Sequence, residues 1–310
     1  MGKIGFVFSG QGAQVVGMGQ DLAEAYPEAQ AIFNRADKSL GYRVSDMCFN
    51  GPEADLNLTA NTQPALVTVC TAIGAVLKSA GIEPDYSAGL SLGEYSALVH
   101  NGSIAFEDAL LLVRRRGELM QAAVPLGQGT MAAIIGLERQ ALEAVLEEAR
   151  AEGIVEGANY NCPGQIVIGG QVEAVERAMA LAETKGAKMA VKLSVSAPFH
   201  TSMLAPAAEA LVPLLEATAI QAPVKPVYAN VDAQCHEANQ IREKLSLQVK
   251  SPVWWEDIVV DMMAQGVDTF VEIGPGKVLS GFIKKINRKV TIYQAADVAS
   301  IEGVIQQLKA

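Results

Sequence analysis

Hydrophobic and polar positions along this chain follow two rhythms, and the change from one to the other divides it into parts. The opening Ile4-Gly5-Phe6-Val7-Phe8 is a short apolar run ending in the loop Gly10-Gln11-Gly12. That is the pattern of a buried strand, and a helix is expected directly after the loop. A helical stretch follows around residues 63–80, then the strand-like Tyr86-Ser87-Ala88, a glycine-flanked turn, and helices over 95–99 and 105–123. Strands alternating with helices in this order predict a parallel α/β sheet.

The middle of the chain reads differently. An apolar strand over 131–137 leads into a charged amphipathic helix over 138–151. Two strands, 154–160 and 165–169, are joined across Asn161-Cys162-Pro163-Gly164, and a helix over 172–184 and a strand over 187–195 complete the set. This βαββαβ order is the ferredoxin-like unit, with Gly127-Gln128-Gly129 as its entry hinge. The α/β pattern then resumes with a helix over 206–215, a strand over 224–230, a helix over 258–264, a strand over 269–273 and a helix from Val278. The expected architecture is a large α/β subdomain, residues 1–126 and 195–310, interrupted by a ferredoxin-like subdomain, residues 127–194.

Composition narrows the function classes. At 310 residues and 50% hydrophobic the chain can bury a substantial core, and 19% charged residues fit an ordinary globular protein. A formal net charge of -10 argues against broad nucleic-acid binding, so an acidic partner would have to dock on a local basic patch. The four cysteines form no C-x-x-C pair and no metal-ligand spacing with the three histidines, which suggests buried free thiols. The N-terminus lacks a signal-peptide pattern, and no apolar run reads as membrane-spanning. The expected location is the cytoplasm.

Gly89-Leu90-Ser91-Leu92-Gly93 has the G-x-S-x-G spacing of a nucleophile elbow, with a strand before it and a helix after it. The sharp turn presents the serine, and the new helix aims backbone N–H groups at developing negative charge. A serine hydroxyl needs a base. His100 lies about 13 Å along the same helix and cannot reach back. His236 sits in a polar stretch that resembles a surface loop, so His200, at the junction of the two subdomains, is the candidate. Arg116 lies within the apolar stripe formed by Ala109, Leu112, Val113, Leu119, Met120 and Ala123. An inward arginine requires an anion, either an internal partner such as Glu94 or a substrate carboxylate held in bidentate geometry. Two look-alikes fail. The Gly10-Gln11-Gly12 stretch has Val15 where a dinucleotide fingerprint needs its third glycine, and Gly276-Lys277 is followed by Val278 rather than a P-loop Ser or Thr.

These residues together resemble the malonyl-CoA:acyl carrier protein transacylase family, and the likeness runs nearly end to end. It includes Phe8 to Gln14, Thr62-Gln63-Pro64-Ala65, the Ser91 elbow through Ser96, Arg116-Gly117 with Met120-Gln121, and Gly129-Thr130-Met131. It continues through Cys162 to Gln165, Ala197-Pro198-Phe199-His200, Gln248 with Pro252-Val253, and Glu272 to Gly276. The resemblance implies a hydrolase-like α/β core with an inserted ferredoxin-like subdomain. It implies Ser91 as the acylated nucleophile and His200 as its base, oriented by the Gln248 backbone carbonyl. It also implies an oxyanion hole of the Gln11 and Leu92 N–H groups and a malonyl carboxylate held by Arg116. Met120 and Asn159 would line the site, and Phe199 would crowd an α-methyl branch.

One position departs from the family, which commonly has histidine where this chain has Leu90. No resident cofactor or metal is expected, since malonyl-CoA and the phosphopantetheinyl carrier are substrates. Acyl carrier protein is the expected partner, with Lys284, Lys285, Arg288 and Lys289 as a candidate docking patch. A serine esterase or thioesterase, and an acyltransferase serving a polyketide carrier, are the alternatives.

Overall fold

Two four-stranded sheets organise the chain. The computed structural model describes residues 2–309 except Ser196, a residue of the segment leading to His200. In chain order the strands are β1 (Lys3–Phe8), β2 (Tyr86–Gly89), β3 (Gly129–Ile135), β4 (Val155–Cys162), β5 (Gln165–Gln171), β6 (Met189–Lys192), β7 (Val267–Ile273) and β8 (Thr291–Ala295). The first sheet has the order β2-β1-β7-β8, and every pairing is parallel. Strand β1 lies inside it with Phe6, Val7 and Phe8 wholly buried, which accounts for the unbroken apolar run.

The second sheet has the order β4-β5-β3-β6 and is antiparallel throughout. With the Arg139–Ala149 and Val172–Thr184 helices it forms the expected βαββαβ unit. Side-chain alternation gives this sheet two different faces. Ala132, Ile134, Ile166 and Ile168 turn toward its own helices and join a separate core with Leu142, Leu146 and Val175. Met131, Ala133 and Val167 turn the other way, onto a cleft shared with the large α/β part.

The structure departs from the sequence reading in several places. No helix follows Gly12 directly, because turns run on to Gly19 and the helix starts at Gln20. The strand expected over 224–230 is reduced to isolated bridges, Ser87 with Val227 and Tyr228 with Cys235. Pro226, inside that segment, lacks the N–H donor that a continuous ladder would need. The strand expected over 187–195 is only Met189–Lys192, at the edge of its sheet.

The Thr59–Ser79 helix does have the length and composition of a membrane span, contrary to expectation. It is a core element instead, with Ala65, Leu66, Val69, Ile73 and Leu77 wholly buried, and being apolar on all sides is what a central helix requires. Cys48, Cys70 and Cys162 are buried free thiols and Cys235 is half-buried. Burial pushes Cys48 and Cys70 up to about 12, so both stay protonated.

Candidate active site

The elbow is built from three backbone strands of contact packed too closely for side chains. A Cβ on Gly89 would lie 1.9 Å from the Gly93 carbonyl carbon, and one on Gly93 would lie 2.2 Å from the Phe8 carbonyl oxygen. Strand β2, the Leu92–His100 helix and the end of β1 therefore meet only because both positions are glycine. Between them Ser91 is forced to φ 53°, a left-handed conformation costly for a residue with a side chain. Two side chains hold it there. The Ser91 N–H donates to Asn230 Oδ1 at 2.6 Å, and the Ser91 carbonyl accepts from Gln248 Nε2 at 2.9 Å. Asn230 also donates from Nδ2 to the Gly89 carbonyl at 2.8 Å, so one amide spans the turn.

His200 adopts φ 61° and is one of three non-glycine residues with positive φ among those described, with Ser91 and Ala233. Its Nδ1 lies 2.8 Å from the Gln248 carbonyl and its Nε2 lies 2.7 Å from Ser91 Oγ. A carbonyl can only accept, so Nδ1 carries the proton of the neutral ring and Nε2 is left to accept from the serine hydroxyl. Burial, reinforced by the nearby positive charge of Arg116, lowers the His200 pKa to about 4. Near neutral pH the ring is therefore the neutral form that a base requires.

Arg116 is 1% exposed and has no carboxylate partner among the described residues. It donates to Gln63 Oε1 and Gln248 Oε1, each at 2.9 Å, and to Ser91 Oγ at 3.1 Å. Its Nε is buried without a hydrogen-bond partner, and its guanidinium carbon sits 5.3 Å from the Tyr95 ring centroid. Burial pushes its pKa down, while Tyr95 and Glu94 partly offset that. A buried cation held only by neutral amides and a hydroxyl is a site one anion short.

The internal partner considered for Arg116 is engaged elsewhere. Glu94 accepts from the Asn230 N–H at 2.9 Å, from Gln248 Nε2 at 2.7 Å and from His236 Nε2 at 2.8 Å. His236 is thus no surface-loop residue. Its side chain is wholly buried, because the segment after Asp232 folds back and pairs Tyr228 with Cys235.

The nine residues expected at the site fall together around one cleft of about 650 Å³. Ser91, Arg116, Met120 and His200 line it from the large part, with Gln11 and Phe199 beside them, while Asn159 faces them from β4. Gln248 stands behind, wholly buried, and Leu92 is 1% exposed at the start of its helix. The backbone N–H groups of Gln11 and Leu92 donate to no protein acceptor among the described residues. Leu90 also lines the cleft, its Cδ2 3.2 Å from where a Cβ of Gly10 would lie. The sequence reading did not single out Asn230, quoted Gln63 without a role, and named Gln248 for its backbone carbonyl rather than for the side-chain amide that meets Arg116. A buried amide leaves no periodic trace, and only its place near a motif could have drawn attention to Gln63.

Lys284, Lys285, Arg288 and Lys289 are all exposed at the end of the Val278–Ile286 helix. Val278, Leu279 and Phe282 of that helix line the cleft, and Lys285 Nζ donates to Gln165 Oε1, itself a lining residue, at 2.9 Å. The basic patch therefore stands at the cleft rim.

Known proteins share this fold and much of this sequence. A family model described as an acyl transferase domain matches residues 5–307. A malonyl CoA-acyl carrier protein transacylase of Bacillus subtilis is 48% identical over 311 residues, covering 100% of this chain and 98% of the relative. The crystal structure of the transacylase of that name from Clostridium perfringens superposes with a TM-score of 0.97 at 46% identity, over 99% of this chain and 97% of that one. A malonyl-transacylase solved in complex with a type II PKS acyl-carrier protein gives a TM-score of 0.96 at 42% identity, over 98% of this chain and 99% of that one. With the elbow, the buried histidine and the anion-short arginine in one cleft, the chain belongs to the malonyl-CoA:acyl carrier protein transacylases of the acyl transferase family.

Proposed function

We propose that this chain transfers malonyl from malonyl-CoA to the phosphopantetheine thiol of acyl carrier protein through an ester on Ser91, with His200 as the base and Arg116 holding the malonyl carboxylate. The observation that carries the reading is Arg116 Nη2 standing 3.1 Å from Ser91 Oγ without an anionic partner of its own among the described residues.

In the first half-reaction His200 Nε2 takes the Ser91 proton as Oγ attacks the thioester carbonyl. The N–H groups of Gln11 and Leu92 receive the resulting oxyanion, each such donor being worth roughly 3–4 kcal/mol to the transition state. CoA leaves as the thiol, taking the proton from His200. In the second half the carrier thiol gives its proton to His200 and attacks the seryl ester, which restores the hydroxyl. The Gln248 carbonyl serves where a triad acid would, by holding the ring so that Nε2 faces the serine. The cycle calls on no resident cofactor, since both thiols arrive on the substrates. In this reading residues 1–126 and 195–310 carry the nucleophile, base and arginine, and residues 127–194 supply the opposite wall.

Intact-mass measurement of Ser91 acylation by malonyl-, acetyl- and methylmalonyl-CoA tests the assignment. The malonyl ester should dominate, with Phe199 disfavouring the branched acid, and Arg116→Ala should lower the malonyl-to-acetyl ratio by a large factor, up to roughly 10⁴-fold. Malonyl transfer unchanged in Arg116→Ala, with no relative rise in acetyl transfer, would remove the carboxylate role. The same residues would serve a polyketide carrier, a reading favoured by the likeness to the transacylase solved with a type II PKS acyl-carrier protein. Comparing kcat/KM on the two carriers separates them. Water outcompeting the thiol as acceptor would mark a thioesterase instead.

A further inference from the structure

We infer that Glu94 is a positioning residue for this reaction, setting Arg116 through the Gln248 amide and the Ser91 turn through Asn230. The inference rests on the reading that Arg116 holds the substrate carboxylate.

Glu94 lies in the first turn of the Leu92–His100 helix, three residues after the nucleophile, and its side chain is wholly buried. Its Oε1 is occupied by His236 Nε2, so Oε2 alone faces the site, where it accepts both the Asn230 N–H and Gln248 Nε2. These contacts decide which way the Gln248 amide points. With its NH2 on Glu94 Oε2 and the Ser91 carbonyl, its Oε1 faces the Arg116 guanidinium. Turned over, it would set oxygen against two acceptors and NH2 against a cation, leaving every contact frustrated. An anion beneath the amide thus selects the orientation that gives Arg116 an acceptor. It does so without touching the guanidinium, whose charge stays available to the substrate.

Asn230 completes the device. Its backbone N–H is on Glu94 while its side chain bridges Gly89 and Ser91, so the carboxylate also fixes the segment that supports the strained turn. Glu94 touches neither substrate nor reacting atoms; its effect passes through two amides.

Selectivity measured on Glu94→Ala, Glu94→Gln and Arg116→Ala, each normalised to the amount of Ser91 that can be acylated, tests this. In Glu94→Ala the malonyl-to-acetyl ratio of kcat/KM should fall by about tenfold or more, mainly through a higher KM for malonyl-CoA. Glu94→Gln keeps an oxygen for the Asn230 and Gln248 donors and should stay within about threefold of the parent ratio. A parental ratio in Glu94→Ala, or an equal loss on both substrates in both Glu94 variants, overturns the inference. Arg116→Ala separates the two levels. If it collapses the ratio and Glu94→Ala does not, only the role of Glu94 falls. If it leaves the ratio unchanged, the carboxylate grip itself falls. Should Glu94→Ala fail to fold, Gln248→Met keeps the backbone carbonyl on His200 while removing the amide, and the same drop in ratio is expected; an unchanged ratio there overturns the inference equally.

Discussion

His200 combines two properties that burial alone would set against each other, being almost fully buried yet placed with its Nε2 on the Ser91 hydroxyl. Desolvation and the charge of Arg116 hold it at about 4, below the 6.5 of a free imidazole. The sign follows directly. In the proposed cycle the neutral ring is the form that acts as base, and it is lost only as pH falls through the folded pKa. The acid limb of kcat/KM for Ser91 acylation should therefore lie near 4 rather than near 6.5, wherever the protein survives the acid. In the proposed cycle bound malonyl would bring a carboxylate to Arg116 and cancel part of its effect on the ring, so the acid limb of kcat should lie higher than that of kcat/KM. Stopped-flow acylation across pH checks both, and a free-enzyme limb at 6.5 would contradict them.

At this scale the sequence was informative wherever chemistry forces a residue type. A serine at a G-x-S-x-G turn, the one histidine able to reach it and an arginine on an apolar stripe each raise a question that only a site answers. Asn230 and His236 raise none, because their roles depend on which segments fold back on one another. His236 looked like loop surface for that reason.

Among the elements, the first sheet and the βαββαβ unit were legible because burial on both faces, and alternation between two faces, leave different periodicities. The strand expected over 224–230 does not form because Pro226 interrupts its apolar run, leaving only enough pairing to bring Asn230 under the elbow. The Val278–Ile286 helix is the element with a prediction of its own. One end lines the cleft and the other presents Lys284 and Lys285 to solvent, on a chain whose net charge is -10. An acidic carrier would meet favourable potential only on such a patch. Lys284→Glu with Lys285→Glu should raise KM for acyl carrier protein several-fold, most strongly at low salt, and leave KM for malonyl-CoA unchanged. Steady-state kinetics with each substrate varied in turn decides this, and equal effects on both would point to damaged folding instead.

For the molecule as a whole, the cleft exists because separate hydrophobic cores form on either side of it, those on the two faces of the parallel sheet and one beneath the antiparallel sheet. The inner face of the second sheet is left to close over the first. The backbone joins them at one tie, where Val253 donates to the Ala158 carbonyl and accepts from the Tyr160 N–H, each at 2.9 Å. That tie lies a few residues beyond Gln248, so the wall carrying Asn159 is anchored beside the carbonyl that orients His200. Neither relation could be read from the sequence, since it arises from the packing of segments nearly a hundred residues apart.

In its proposed role Arg116 would make the folded protein itself a gauge of what it carries. Among the described residues this interior cation has no counter-ion, and in the proposed role an arriving dicarboxylic acyl group would supply it, which would link cargo and stability thermodynamically. Loading Ser91 with malonyl should raise Tm in a thermal-shift assay, loading it with acetyl should raise it less, and the difference should vanish in Arg116→Ala. Such a melt would sort candidate acyl groups by charge without any turnover being measured.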